Sequence, residues 1–171
     1  MILSDVDIRK AMQEGDIVID PFDERMLSRA SYSLTLGTVL YRLKDKPFID
    51  SRESTNEYDE ITLTDEGYLL APGAFIIGRT REHIKLSDQI GCFVSNTGSR
   101  AQQGLDAILS SSFAEPGSDN AMACELHNVS HIPIKLYPGV KIAKAIFIPL
   151  HTPAEQKGRE SDFFNRHNVK E

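Results

Sequence analysis

The sequence contains no tryptophan, and only two of its 171 residues are cysteine. It has no apolar run near the roughly 20 residues that a membrane-spanning helix needs. Each shortage removes a class of protein. Cys92 and Cys124 cannot staple a small secreted scaffold, and neither has a second cysteine or a histidine at zinc-site spacing. Both stand inside apolar, strand-like runs, where buried reduced thiols are expected. The histidines (His83, His127, His131, His151 and His167) show no metal-ligand spacing, so no metal held by the protein is expected. Positive charge is scarce as well. A net charge of -6 argues against general attraction to nucleic acid or to an anionic membrane. An anionic ligand would need local cations, a helix N-terminus or a metal ion. No signal peptide precedes the first helix, and a cytoplasmic chain is expected. No G-x-S-x-G, P-loop or G-x-G-x-x-G motif is present.

What is present is ordinary for one globular domain: 40% hydrophobic and 26% charged residues, in a chain long enough to bury a core. Ser4-Asp-Val-Asp7 offers an N-cap with an acid three residues on, and Gly15 follows as a stop, predicting a short amphipathic helix. Ile17 to Ile19 reads as a brief strand ended by Asp20-Pro21. From there the period is two. Ser31 to Gly37 alternates and breaks at the glycine, and Val39 to Leu43 resumes. The acidic stretch 50–60 reads as a loop. Tyr68 to Leu70, the turn Pro72-Gly73 and 74–80 read as strand, turn, strand. Further strands are predicted at 90–95, 106–113, 121–127, 132–136 and 142–148. Many short strands punctuated by Pro-Gly pairs indicate an all-β barrel or jelly roll with minor helices. The segment 152–171 is polar apart from Phe163-Phe164, and reads as a tail or as a segment that orders on a ligand.

Two places can carry chemistry. In Asn96-Thr-Gly-Ser99, an apolar strand stops at small polar residues before a predicted helical turn over 100–103. There Gly98 and Ser99 would present backbone N–H groups and a hydroxyl to an anion. The alternative is that Thr97 or Ser99 merely caps the turn. In Ala121-Met-Ala-Cys-Glu-Leu-His127, alternation puts Met122, Cys124 and Leu126 on one face. Ala121, Ala123, Glu125 and His127 share the other. The small alanines leave room beside the carboxylate, which in a partly desolvated cavity can shuttle a proton. A plain solvated face is the alternative. Ser110-Ser-Ser112 is either a polar loop or a row of donors.

Taken together, several segments resemble one superfamily, the trimeric dCTP deaminases and dUTPases. Met1 to Ile8 and Ala30-Ser-Tyr-Ser-Leu-Thr-Leu-Gly37 are similar to the opening of dCTP deaminases. Leu136 to Pro149 is similar to the shared P-G-x-R-I-A/G-Q-x-I-F segment. Asn96 to Leu105 falls on G-R-S-S-L-A-R-x-G-L, Glu115-Pro-Gly117 on D-P-G, and Glu125 on the glutamate of V-L-E-F-Y-N. The resemblance implies a distorted dUTPase-like β-barrel over 1–151 that assembles as a homotrimer with sites between subunits. It also implies a lid formed by 152–171 and Mg2+ carried on the phosphates of a deoxynucleoside triphosphate. It implies catalytic roles for Glu125, as proton shuttle, and for Ser99. By position, Gly98, Ser99, Arg100, Gln102, Lys144 and Arg166 would bind phosphate, and Ser111, Ser112, Phe113, Glu115 and Phe163 would meet base and sugar.

The departures are specific. The motif's arginine, first serine and second arginine are Thr97, Gly98 and Gln102, and the aspartate of S-Y-D-V-T-L-G is Ser33. The A-H-R before D-P-G reads Ser111-Ser112-Phe113, and the shared glutamine is Lys144. Two lost arginines remove forked, charge-assisted phosphate contacts worth about 1.5–3 kcal/mol each. The expected activity is hydrolytic deamination of dCTP, or a related cytosine deoxynucleotide, to dUTP and ammonia. A dUTPase-type diphosphatase, with Glu115 as the motif acid, and a non-catalytic trimeric nucleotide-binding protein are the alternatives.

Overall fold

The Ser4-to-Asp7 box closes as its spacing predicts. Ser4 Oγ accepts the Asp7 N–H and the Asp7 carboxylate accepts the Ser4 N–H, while Gly15 turns left-handed at φ 81°. Between them runs α1 (Asp5–Glu14), with Ile8 and Ala11 turned into the core. The computed structural model describes residues 1–52, 56–109 and 111–156. Phe163 and Arg166, and all of the expected 152–171 lid beyond residue 156, lie outside the described residues.

Twelve strands follow among the described residues. They are β1 (Ile17–Asp20), β2 (Leu27–Ser28), β3 (Ser31–Leu43), β4 (Tyr58–Thr62), β5 (Tyr68–Leu70) and β6 (Phe75–Leu86). After β7 (Ile90–Asn96) comes the short helix α2 (Gly98–Gln102). Then come β8 (Leu105–Asp106), β9 (Phe113–Ala114), β10 (Asp119–Asn128), β11 (Ile134–Leu136) and β12 (Lys141–Pro149). The main sheet runs β8-β10-β6-β3-β12-β7-β9; β1 is added on β6, β2 and β4 on β3, and β5 with β11 forms a separate pair. Asn96 draws the far parts of this path together. At the end of β7, its amide donates to Asp106 Oδ1 on β8 at 2.7 Å and accepts the Ala107 N–H at 2.8 Å. The sheet is thereby curled around Tyr32, Leu34, Leu36, Ile84, Leu126 and Phe147, all almost fully buried. Cys92 and Cys124 are free and buried there, and desolvation pushes both thiols up to about 12.

Three expectations are corrected. Ser31 to Leu43 is one strand, not two, and the glycine break is a register shift between Leu36 and Leu40. A Cβ on Gly37 would stand 2.9 Å from the Arg79 carbonyl oxygen, so only glycine lets β3 and β6 approach there. The strand expected over 106–113 is two short pieces instead. Asp106 Oδ1 accepts the Ile108 N–H, a local turn that competes with the ladder. The acidic loop is shorter than 50–60, because β4 begins at Tyr58 and pairs with β3.

β6 runs six residues beyond the expected 74–80, ending at Leu86. Its pairing with β10 steps from Ala121↔His83 to Ala123↔Arg79, so residues 80–82 face Met122 alone. Side chains repair this bulge. Thr80 Oγ1 accepts the Met122 N–H and donates to the Glu82 carbonyl. The buried Glu82 carboxylate accepts both the N–H and the hydroxyl of Thr35, each at 2.7 Å. Among the described residues, no helix is long and apolar enough to cross a membrane.

Candidate functional site

The loop after β7 is built by strand pairing. β12 lies between β3 and β7, with Lys144 opposite Ser33 on one side and Ser95 on the other. Ala143 pairs with Asn96, and the Thr97 N–H reaches the Ile142 carbonyl at 3.4 Å. Lys144 is half-buried in this row and makes no ion pair among the described residues. Ser33, Ser95, Asn96 to Ser99 and Lys144 are therefore brought together.

Helix α2 starts at Gly98, ahead of the turn expected over 100–103. Thr97 is its N-cap but makes no side-chain capping bond, and its Oγ1 is buried without a partner among the described residues. The simple capping reading therefore fails for Thr97. A Cβ on Gly98 would meet nothing within 4 Å, so nothing in the folded chain demands glycine there. Gly98, Ser99 and Gln102 are exposed. Arg100 is turned away from the loop's open side, donating to the Lys141 carbonyl at 3.2 Å and to Gln103 at 2.6 Å. Its first task is to brace α2 on β12.

Glu125 stands elsewhere in the sheet, on β10, with β6 and β3 between it and β12. The alternation holds: Met122, Cys124 and Leu126 are buried in the core, and Glu125 is half-buried on the outer face. Ala121 and Ala123 flank it along the strand, and Ile77 is opposite on β6, followed by Tyr41 on β3. Tyr41 and Ile77 are 1% and 6% exposed and form a second apolar cluster with Val39, Tyr58 and Ala123. The carboxylate thus borders an apolar floor outside the main core.

The residues assigned to base and sugar divide. Ser111 is exposed, and the Ser112 carbonyl accepts the Val94 N–H at 2.7 Å, which ties this segment to β7. The Phe113 ring lies 4.8 Å from that of Phe93 and covers Gly91. Glu115 opens a turn closed by Ser118 and by Gly117 at φ 80°. Sequence reasoning missed the Glu82–Thr35–Thr80 bracket and the row of basic residues on β6. Arg79, Arg81, His83 and Lys85 alternate on the outer face, and His83 and Lys85 both pair with Asp119, at 2.7 and 2.9 Å. These partners, His83 foremost, hold the Asp119 carboxyl below the usual carboxylate range. The basic residues at every second position of Arg79-Thr-Arg-Glu-His-Ile-Lys85 were the available signal.

Among the described residues, no three His, Cys, Asp or Glu side chains converge as metal ligands.

This curled antiparallel architecture recurs in solved structures. A 2'-deoxycytidine 5'-triphosphate deaminase from Agrobacterium tumefaciens superposes with a TM-score of 0.67 at 18% identity, covering 85% of this chain and 47% of that one. The dUTPase of Staphylococcus aureus phage phi11 does so at 0.52 and 9% identity, over 86% of this chain and 99% of that one. The fold is thus of the dUTPase-like class. Sequence narrows it further. A dCTP deaminase (dUMP-forming) of Dictyoglomus thermophilum is 33% identical over 99% of this chain and 91% of its own length. A dCTP deaminase-like family model matches residues 2–150. The chain belongs to the dCTP deaminase-like family.

Proposed function

We propose that the protein is a hydrolase that deaminates dCTP, with Glu125 moving the protons. The observation that carries this reading is the place of Glu125. It is a half-buried carboxylate beside two alanines and against the Tyr41–Ile77 floor, in a chain whose relatives are named dCTP deaminases. Glu125 would take a proton from the water that attacks C4 of cytosine. Glu125 would pass that proton to N3 as the C4–O bond forms; the new hydroxyl's proton then goes to the amino group, the C4–N4 bond breaks and ammonia leaves, so that dCTP and water give dUTP and ammonia. In this reading Gly98 and Ser99 of the loop, with Lys144 of β12, would meet phosphate, and Mg2+ would accompany the nucleotide.

A second hydrolysis is favoured by one specific observation: the relatives are named dUMP-forming. In this reading the triphosphate is also cleaved, and the products are dUMP, diphosphate and ammonia. The same proposal includes assembly as a homotrimer and closure of 152–171 over the nucleotide, through Phe163 and Arg166. Incubation with a panel of nucleotides, reading ammonia and diphosphate separately, tests the chemistry. Ammonia alone supports deamination only, and both products support the dUMP-forming reaction. Neither product from any cytosine nucleotide refutes the enzyme reading. Sedimentation as a monomer at micromolar concentration refutes the trimer.

A further inference from the structure

The loop at α2 is poor in charge. Thr97, Gly98, Ser99 and Gln102 are neutral, and Arg100 is tied to Lys141 and Gln103. A triphosphate is a polyanion that binds best to forked, charge-assisted donors. Lys144 beside the loop is a single point charge.

The outer face of β6 offers what the loop lacks. Arg79, Arg81, His83 and Lys85 project from it at every second position, toward the side of the sheet that carries Glu125 on β10. His83 and Lys85 share Asp119. Arg81 is different: it is exposed and makes no ion pair or side-chain hydrogen bond among the described residues.

Its position is built. Residues 80–82 form the bulge that faces only Met122, and the two residues flanking Arg81 point inward. Thr80 is held by Met122 and the Glu82 carbonyl, and Glu82 by both donors of Thr35. Four hydrogen bonds from buried side chains thereby fix the backbone on either side of one outward arginine. A bulge of this kind re-aims a side chain and is common beside active sites. Across from it on β10 stand two small residues, the buried Ala121 and the half-buried Ala123. Ile77, opposite Glu125, and Arg81 are four residues apart on β6, about 13 Å of strand at about 3.3 Å per residue. A nucleotide lying along the alanines, with its base at Glu125, would extend its phosphates toward the guanidinium.

We propose that Arg81 is a phosphate-binding residue for the nucleotide whose base lies at Glu125, supplying on β6 the forked cation that the α2 loop lacks. This rests on the reading of Glu125 as the residue at the base.

The test is calorimetric titration of the full-length protein with dCTP and with deoxycytidine. The variants are Arg81→Gln, Arg81→Lys and, as a control for net charge, Lys10→Gln on the exposed side of α1. Arg81→Gln should weaken dCTP binding roughly 10- to 150-fold, the equivalent of one charge-assisted contact. It should flatten the salt dependence of dCTP binding and leave deoxycytidine affinity alone. Arg81→Lys should recover part of the loss, and Lys10→Gln should change neither ligand. If dCTP affinity stays within about twofold of wild type, or falls equally for both ligands, the assignment is overturned. Turnover of Glu125→Gln separates the two readings. Full activity there removes the base assignment, whereas a selective dCTP defect in Arg81→Gln alone still establishes the phosphate contact.

Discussion

Replacing Glu125 by glutamine removes one titrating group while preserving the shape of the side chain. The side chain keeps its length and one acceptor oxygen, exchanging the other for an N–H donor, and it keeps its place opposite Ile77 between Ala123 and His127. Because Glu125 is only half-buried and the core face of β10 is untouched, unfolding free energy should change by less than about 1 kcal/mol. Turnover should respond quite differently. General acid–base assistance is worth roughly 10²- to 10⁴-fold, or about 2.7–5.4 kcal/mol of barrier at about 1.36 kcal/mol per decade. The contact is made as the water is deprotonated, so dCTP affinity should move by no more than about threefold. Three measurements on one preparation suffice: ammonia release under saturating dCTP, melting temperature, and titration with dCTP. A folded Glu125→Gln protein with wild-type turnover would refute the reasoning. It would leave the carboxylate as a brace for the strand. The brace role alone predicts the opposite pattern, with lower stability and intact turnover per folded molecule.

Other expectations follow from the same structure. Glu82→Ala leaves the buried Thr35 N–H without its acceptor, which should cost about 1–3 kcal/mol in chemical denaturation. Glu82→Gln should recover most of that, since its carbonyl can accept the N–H while the Thr35 hydroxyl turns to accept; equal losses in the two variants would refute the bracket. Asp119 is held below its unfolded value of about 3.9, so its stabilisation is present above about pH 4 and fades as pH falls through the depressed value. Asp119→Asn should therefore lower the melting temperature near neutrality, and the gap to wild type should narrow as pH falls through the depressed value; a gap constant with pH refutes the pairing. Truncation after Gln156 keeps the Ala154–Asp88 hydrogen bond and should spare the melting temperature. If 157–171 close over the nucleotide, kcat/KM should fall by at least about tenfold, and unchanged kinetics would dismiss the lid.

The features legible in the sequence were those set by a few neighbouring residues. The capping box of α1 is complete within Ser4 to Asp7. The turns at Gly73, Gly117 and Gly139 all have the positive φ that glycine tolerates. The alternation of β10 is also local, because successive side chains on a strand take opposite faces whatever the partner. What only the tertiary structure decided is register and distance. Gly37 looked like a strand end, yet it is a close approach to Arg79 of β6, visible only once the two strands are paired. Lys144 stands between Ser33 and Ser95 because β12 inserts between β3 and β7. The orphaned Thr97 hydroxyl, the committed Arg100 and the Thr80–Glu82–Thr35 bracket likewise depend on partners 40 or more residues away, or on burial created by packing. A one-residue change of register would send Thr35, Thr80, Glu82 and Lys144 to the other face. Chemistry and periodicity are written along the chain, but which outward residues share a surface is set by strand pairing across long loops.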